Sequence, residues 1–182
     1  DHGDMLYAHS LIGKGPALYE EIAHIPLIIW GLGKGVDTNP VSHINLAPTI
    51  FDIFGVPIPK MFEGKSIWKE VLNPKIRCND YVFMEFGRYE VDHDGFGNYQ
   101  PLRGAYDGRY KMVINLMTSD ELYDLEEDPQ EMINLIEKPG YDKVKKRLHQ
   151  AILDNMYETR DPFRGYYWED RPWNRLTEFK TW

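Results

Sequence analysis

Six consecutive residues, Ile25-Pro26-Leu27-Ile28-Ile29-Trp30, form an apolar run rich in β-branched side chains. Such a run predicts a strand buried on both faces, as in an α/β sheet, because a half-exposed strand alternates apolar and polar residues. Pro16–Ile22 predicts a short helix before it, and Gly31–Gly35 indicates a turn after it. Asn45–Phe54 predicts a helix with one apolar side, ended by Gly55. The chain up to about residue 74 therefore has a strand–helix pattern.

Beyond residue 76 the pattern changes to consecutive strands. Three segments have strand character, and no helix separates them: Tyr81–Phe86, Arg109–Leu116 and Glu121–Leu125. This order predicts a small antiparallel sheet. Asp128–Glu131 has the residues of a helix start, and Asp142–Tyr157 predicts a long helix with an apolar stripe. We expect the aromatic segment Arg160–Trp182 to wrap over the body. We therefore predict two units, residues 1–76 and 77–182.

Composition excludes several classes of protein. The 182 residues are 42% hydrophobic and 27% charged, as in an ordinary soluble globular protein. The net charge of −8 argues against nucleic acid or an anionic membrane as a partner, since both bind basic surfaces. No apolar run is long enough to cross a bilayer. The single cysteine, Cys78, allows no internal disulfide and is interpreted as a partly buried free thiol.

Asp1, His2 and Lys14 form the main candidate site. Asp1-His2-Gly3-Asp4 places a carboxylate next to an imidazole, with a glycine that suits a sharp turn after a strand. Taken alone, Asp-His-Gly favours a surface turn over a site. The glycine-flanked Lys14 close behind it favours a site that holds a metal ion and an oxyanion together.

Several blocks of the sequence resemble the sulfatases of the alkaline phosphatase superfamily. In chain order the blocks are Asp1–Leu6, Leu11–Pro16, Tyr19–Ile22, Ile25–Ile29, Ile44–Ile50, Arg109–Lys111 and Leu122–Glu131. They cover most of residues 1–135 in the family's order. One departure is Asn45, where relatives usually carry aspartate.

The resemblance implies an α/β fold: the C-terminal part of an alkaline phosphatase-like sulfatase domain, followed by a small antiparallel sheet with a long helix. It implies that Asp1 and His2 bind a divalent metal and that Lys14 is the catalytic residue that contacts the sulfate. It also implies a formylglycine nucleophile made from Cys or Ser in Cys/Ser-x-Pro/Ala-x-Arg. Cys78 lies in Arg77-Cys78-Asn79-Asp80-Tyr81, which lacks that pattern. We therefore expect the nucleophile in a missing N-terminal half, and we expect residues 1–182 to be inactive alone.

The resemblance leaves the metal and the substrate open. Calcium is the usual ion of the family, whereas an imidazole ligand such as His2 suits manganese or zinc. The blocks outside the predicted metal site look more like those of carbohydrate sulfatases, so the expected activity is hydrolysis of a sulfate monoester on a carbohydrate. The expected partners are a sulfated glycan or small-molecule substrate and the missing N-terminal half. The alternatives are a phosphonate monoester or phosphodiester hydrolase on the same scaffold and a non-catalytic accessory fragment. The resemblance further suggests a periplasmic or extracellular location.

A second candidate region lies between the predicted strands. Arg88–Gly97 mixes charged, aromatic and glycine residues, as a binding loop on a rigid scaffold does. In sulfatases the C-terminal subdomain often contributes to the substrate subsite, so the resemblance implies that Arg88, His93 and Arg103 bind a sugar carboxylate, a hydroxyl or a second sulfate. A solvated hairpin loop explains the same pattern equally well. His9 could reach the metal pocket or lie at the surface.

Overall fold

The computed structural model describes residues 2–32, 35–88 and 99–174. Its centre is a four-stranded antiparallel sheet in the order β1-β2-β3-β4. The strands are β1 (Val82–Arg88), β2 (Tyr99–Tyr106), β3 (Tyr110–Asn115) and β4 (Glu121–Asp124). The predicted antiparallel sheet is confirmed, and β2 is a strand that the sequence pattern did not reveal.

The turn between β2 and β3 forms at Asp107-Gly108. Gly108 has a φ of 97°, which favours glycine. The Asp107 carboxylate accepts hydrogen bonds from the backbone N–H groups of Arg109 at 2.9 Å and Tyr110 at 2.7 Å. This local network fixes the register that pairs Tyr106 with Lys111.

Five α-helices lie outside the sheet in the described part of the chain. They are α1 (Glu20–Ala23), α2 (Leu46–Ile53), α3 (Trp68–Leu72), α4 (Asp142–Glu158) and α5 (Tyr166–Glu169). Short 3₁₀ turns cover Ala8–Ser10, His43–Asn45 and Pro172–Asn174. The predicted helices at Asn45–Phe54 and Asp142–Tyr157 are therefore confirmed, whereas the predicted helix Pro16–Ile22 shortens to α1. None of the described helices has the length and apolar character needed to cross a membrane.

The two faces of the sheet are covered by different parts of the chain. Helix α4 packs on one face through the predicted apolar stripe, in which Leu148, Ile152 and Met156 are buried. On the other face, Leu18 packs against Leu102 and Val113. A Cβ added at Gly104 of β2 would lie 2.8 Å from Leu18 Cδ1, so glycine at this position lets the N-terminal segment approach the sheet closely. Residues 16–20 thus cross the face opposite α4.

The prediction of a buried strand at Ile25–Trp30 is wrong for the structure described. The segment is assigned to no strand, and its side chains are largely exposed: Ile28 is 87% and Trp30 96% accessible. A strand requires a neighbour that accepts and donates its backbone hydrogen bonds. Within the described residues, no strand lies beside this segment. The segment is therefore apolar in sequence but largely exposed in the structure.

The predicted helix start at Asp128–Glu131 is also wrong. The Asp128 carboxylate accepts a hydrogen bond from the N–H of Ile133 at 2.7 Å, which closes a loop instead of capping a helix. Glu131 has a left-handed φ of 55° and is only 2% exposed. A helix would carry Glu131 away from the buried Lys111, with which it forms an ion pair at 2.6 Å.

The segment after α4 wraps over the core as predicted, as far as residue 174. Trp168 is 1% exposed, and its indole N–H donates to the carbonyl of Phe163 at 2.6 Å. Arg171 binds Asp120 through Nε and Nη2, both at 2.8 Å. These contacts hold the segment against β3 and the loop before β4. The rest of the predicted wrapping segment, residues 175–182, lies outside the described residues.

Candidate active site

Two of the predicted site residues, His2 and Lys14, are in direct contact. The Nζ of Lys14 lies 2.7 Å from Nε2 of His2, and the Nδ1 of His2 lies 3.0 Å from the carbonyl oxygen of Gly3. Because an ammonium group only donates, Nε2 accepts and the Nδ1–H donates to Gly3. This hydrogen-bond pattern assigns a ring proton to Nδ1 and a lone pair to Nε2.

Gly3 allows the backbone next to His2 to lie against α1. Its N–H donates to the carbonyl of Ile22 at 3.0 Å. A Cβ at Gly3 would lie 1.7 Å from the carbonyl oxygen of Glu21, so no side chain fits there. The position of His2 is therefore set by α1, and glycine at residue 3 is a steric requirement.

The loop after Gly3 returns Lys14 to His2. The N–H of Met5 donates to the carbonyl of Gly13 at 2.8 Å, and the Met5 side chain is 1% exposed. Non-glycine residues with left-handed backbone are concentrated in this loop, with φ of 44°, 74°, 50° and 61° at Leu6, Tyr7, His9 and Ser10. Such residues cost of order 1–3 kcal/mol each and cluster at functional sites. The backbone between Gly3 and Lys14 is therefore tightly constrained.

His9 packs against the face of Tyr19 and not against the His2–Lys14 pair. The two rings stack at 3.9 Å between centroids with an interplanar angle of 8°. The Nε2 of His9 is buried and finds no hydrogen-bond partner among the residues that the structure describes. The expectation that His9 reaches the metal pocket stays a prediction.

A buried ionic cluster lies where α1 meets the sheet. Lys111 of β3 is 1% exposed, and its Nζ lies 2.8 Å from Glu20 Oε1 and 2.6 Å from Glu131 Oε1. Glu121 of β4 lies beside them. Burial, with the negative charge of Glu131 as the second cause, raises the pKa of Glu121 to about 7. Burial also raises the pKa of Glu131, against the opposing charge of Lys111. The cluster holds more carboxylates than cations.

This excess of carboxylates predicts a pH-dependent stability. The pKa of Glu121 rises from 4.5 to about 7 on folding, so the folded state keeps a proton that the unfolded state loses. Stability therefore falls as pH rises from about 4.5 to about 7, and the full cost is present above that range. We expect Glu121→Gln to raise the free energy of unfolding by about 1–2 kcal/mol at pH 8, less than the full shift implies because Glu121 is partly exposed. The gain should vanish near pH 4.5.

Urea unfolding of the intact protein across this pH range measures the difference. Glu63→Gln, at an exposed carboxylate, is the matched control and should change stability little at every pH. The raised pKa of Glu121 would be contradicted by a Glu121→Gln variant that is less stable than the parent at pH 8. It would also be contradicted by a variant whose stability differs from that of the parent by the same amount at every pH.

Arg103, a predicted substrate-binding residue, is buried inside the protein. Its guanidinium donates from Nε and Nη2 to the two carboxylate oxygens of Asp161 at 2.5 and 3.1 Å. The same guanidinium lies 5.3 Å from the ring centroid of Phe163 and 5.6 Å from that of Trp168. With 6% of Arg103 exposed, this geometry favours a structural role over contact with a sugar. The substrate-binding role of Arg103 stays a prediction.

The other predicted site residues are not all described. Asp1, His93 and the side chain of Arg88 lie outside the described residues, so their roles stay predictions. Cys78 is a partly buried free thiol, as expected. Burial and the nearby charge of Glu70 raise the pKa of Cys78, which disfavours the thiolate that a nucleophile needs.

Within the described part of the chain, the predicted metal site is represented by His2 alone. Within residues 2–32, 35–88 and 99–174, no group of three or more His, Cys, Asp or Glu side chains is arranged to hold a metal ion. His2 fits the part of one imidazole ligand, because its Nε2 carries the lone pair and its Nδ1–H is anchored on a backbone carbonyl. His2 therefore has the chemistry of a metal ligand, and metal binding at this site stays a prediction.

Comparison with known proteins places the chain in one family. Residues 9–158 match the family N-sulphoglucosamine sulphohydrolase, C-terminal. The chain is 46% identical over 178 residues to the uncharacterized sulfatase YidJ of Escherichia coli K12, covering 96% of this chain and 34% of that protein. It is 30% identical over 175 residues to Delta 4,5-hexuronate-2-O-sulfatase of Bacteroides thetaiotaomicron, covering 91% and 35%. The solved structure of a 2-O GAG sulfatase matches with a TM-score of 0.73 and 30% identity, covering 90% of this chain and 36% of that one.

The antiparallel sheet and the long helix thus belong to a sulfatase-type fold. The chain belongs to the N-sulphoglucosamine sulphohydrolase, C-terminal family. It spans about a third of the length of the curated relatives reported above, 34% of one and 35% of the other. The predicted resemblance and fold class are confirmed. The predicted boundary between residues 76 and 77 stays a prediction.

Proposed function

We propose that the protein containing this chain hydrolyses a sulfate monoester on a carbohydrate. The observation that carries the proposal is the Lys14 Nζ at 2.7 Å from Nε2 of His2, in a segment folded back on itself. Cleavage of a sulfate ester develops negative charge on the leaving oxygen and spreads it over the sulfuryl oxygens. A fixed ammonium stabilises that charge. The sequence identity shared with a sulfatase and with a hexuronate sulfatase supports sulfate ester hydrolysis as the reaction and a carbohydrate as the substrate class.

In this proposal Lys14 is the catalytic cation. Its ammonium carries three donors on a flexible stem, so it can bind sulfuryl oxygens or the departing alcohol oxygen. The Nε2 of His2 and the carboxylate of Asp1 would hold a divalent cation. Because Nε2 has a single lone pair, the cation would replace Lys14 Nζ as its partner, and Lys14 would then be available to the sulfate. We propose calcium first, with manganese or zinc as alternatives because imidazole suits them better. A bound cation supplies Lewis-acid polarisation of a sulfuryl oxygen.

The nucleophile belongs to a part of the polypeptide outside residues 1–182. We propose a formylglycine there, because the family resemblance implies one and because Cys78 lies in a different sequence pattern. The relatives extend well beyond the matched region, since the chain covers 34% and 35% of them. Large exposed apolar side chains at Ile28, Trp30 and Phe54 support a covering partner. We propose that this partner is the other half of the catalytic domain and that residues 1–182 alone are inactive.

Parallel assays of the intact protein on an aryl sulfate, an aryl phosphonate monoester and a panel of sulfated disaccharides test the proposal. We expect turnover of the sulfate esters to exceed that of the phosphonate ester. We also expect chelation with EDTA to lower that turnover at least about tenfold, with recovery on adding back Ca²⁺ or Mn²⁺.

Each alternative gives a different result in these assays. Faster phosphonate than sulfate turnover would replace the proposal with a phosphonate hydrolase. No turnover of any ester by the intact, metal-loaded protein would favour a non-catalytic role. Undiminished activity after complete metal removal would exclude the metal role of His2 and Asp1.

A further inference from the structure

The buried Lys111 is a link between the sheet and the candidate active site. Its Nζ lies 2.8 Å from Glu20 Oε1 at the first residue of α1 and 2.6 Å from Glu131 Oε1. Lys111 is 1% exposed and Glu131 is 2% exposed. A lysine so deeply buried requires paired carboxylates, because the unpaired charge would be strongly disfavoured. The position of α1 and the charge of Lys111 therefore depend on each other.

Glu131 holds the same helix through its backbone. Its Oε2 accepts a hydrogen bond from the N–H of Glu20 at 2.7 Å, so one carboxylate binds both Lys111 and the first helical residue. Glu131 reaches this position with a left-handed φ of 55°. A non-glycine residue such as Glu131 keeps this conformation only where the surrounding contacts hold it there.

Helix α1 in turn holds the backbone of the site. Within α1, Ile22 accepts the N–H of Gly3 at 3.0 Å, and the space at Gly3 is too small for any side chain. The residue before Gly3 is His2, whose Nε2 contacts Lys14 Nζ at 2.7 Å. An unbroken series of contacts thus runs from Lys111 and Glu131, through α1, to the His2–Lys14 pair.

We propose that Glu131, whose buried carboxylate is paired with Lys111 of the sheet, is a positioning residue for the His2–Lys14 pair. The proposal rests on the sulfatase function proposed above, and it assigns to the C-terminal sheet a part in orienting the catalytic cation. Buried ion pairs contribute little net stability compared with apolar residues of similar volume, whereas their hydrogen bonds fix geometry. Misplacement of a catalytic group by about 1 Å can lower turnover about a hundredfold.

A matched pair of double variants separates positioning from stability. Lys111→Met/Glu131→Leu removes both charges and also the acceptor for the Glu20 N–H. Lys111→Met/Glu131→Gln removes both charges but keeps an amide oxygen as acceptor. We expect both to fold with similar Tm, because neither leaves a fully buried charge. We expect kcat on a sulfate ester to fall at least about tenfold in the Leu variant, with KM little changed, and to recover largely in the Gln variant.

Hydrogen exchange of the intact protein gives a readout that does not depend on activity. The amide of Gly3, bonded to Ile22, should exchange faster in the Leu variant than in the parent and regain protection in the Gln variant. Lys111→Met/Glu131→Met, which also lacks the acceptor but has an apolar side chain closer in length to Glu131, gives the same comparison if the Leu variant does not fold. We expect it to lower kcat and Gly3 protection together.

Two results overturn the positioning role. One is a Leu variant that folds with parental kcat and parental Gly3 protection. The other is a kcat that falls equally in both double variants in proportion to Tm. If the parent hydrolyses no sulfate ester while Gly3 protection follows the expected order, the proposed function has failed and the structural link to His2 stands.

Discussion

Lys14→Ala in the intact protein is expected to lower kcat on a sulfate ester about 10²–10³-fold. Removing one preorganised donor from a developing oxyanion typically costs about 3–4 kcal/mol of transition-state stabilisation. Because the charge grows in the transition state, KM should change much less than kcat. Steady-state kinetics on an aryl sulfate, at saturating metal, measures both constants.

Two further variants interpret that result. Lys14→Arg keeps the positive charge but not the compact ammonium, so we expect partial activity. Lys143→Ala, at an exposed position of α4, is the matched control and should leave kcat unchanged. Near-parental kcat in Lys14→Ala would remove Lys14 from the mechanism, and with it the contact that carries the proposed function.

The sequence predicted the elements whose side-chain pattern is local. β1, β3, β4 and α4 each follow from apolar periodicity and turn residues, and they form as expected. β2 escaped prediction because its sequence, Tyr-Gln-Pro-Leu-Arg-Gly-Ala-Tyr, includes proline and glycine, which are rare inside strands. Gly104 is there because Leu18 packs against it, a contact that no local pattern reveals.

The segment Ile25–Trp30 shows the limit of local pattern in the opposite direction. Its composition is that of a buried strand, but a strand also needs a paired neighbour, and the described residues offer none beside it. Asp128–Glu131 shows a second limit. Helix-start residues were present, yet the buried Lys111 holds Glu131 in a left-handed conformation outside any helix.

The candidate site was predictable where its residues are close in sequence. His2 and Lys14 are brought together by a short loop, and their contact follows the motif. The cluster of Lys111, Glu20 and Glu131 was not predicted, because Glu20 and Glu131 are 111 positions apart and Lys111 resembles an exposed alternate residue of a strand. The available signal was a lysine directly before the apolar residues Met112-Val113-Ile114 of the same strand.

Arg103→Met is expected to destabilise the intact protein by about 3–5 kcal/mol. It would leave the Asp161 side chain, 5% exposed, as a buried charge without its guanidinium partner. Burial alone would raise the pKa of Asp161, but the hydrogen bonds from Arg103 outweigh it and hold that pKa below its usual value. Urea unfolding near neutral pH, where the carboxylate is ionised, measures the loss. Arg147→Met, in a more exposed pair with Asp107, is the control and should cost about 1 kcal/mol or less.

The double variant Arg103→Met/Asp161→Leu separates the structural role of Arg103 from the predicted role in substrate binding. Removing both charges should restore most of the lost stability, since no unpaired buried charge remains. If Arg103 acts only through Asp161, the folded double variant should keep the parental KM for a sulfated disaccharide. Loss of a charge-assisted hydrogen bond to an anionic sugar weakens binding by about tenfold or more. A double variant with recovered stability but a KM raised by that factor would therefore show that Arg103 binds the substrate.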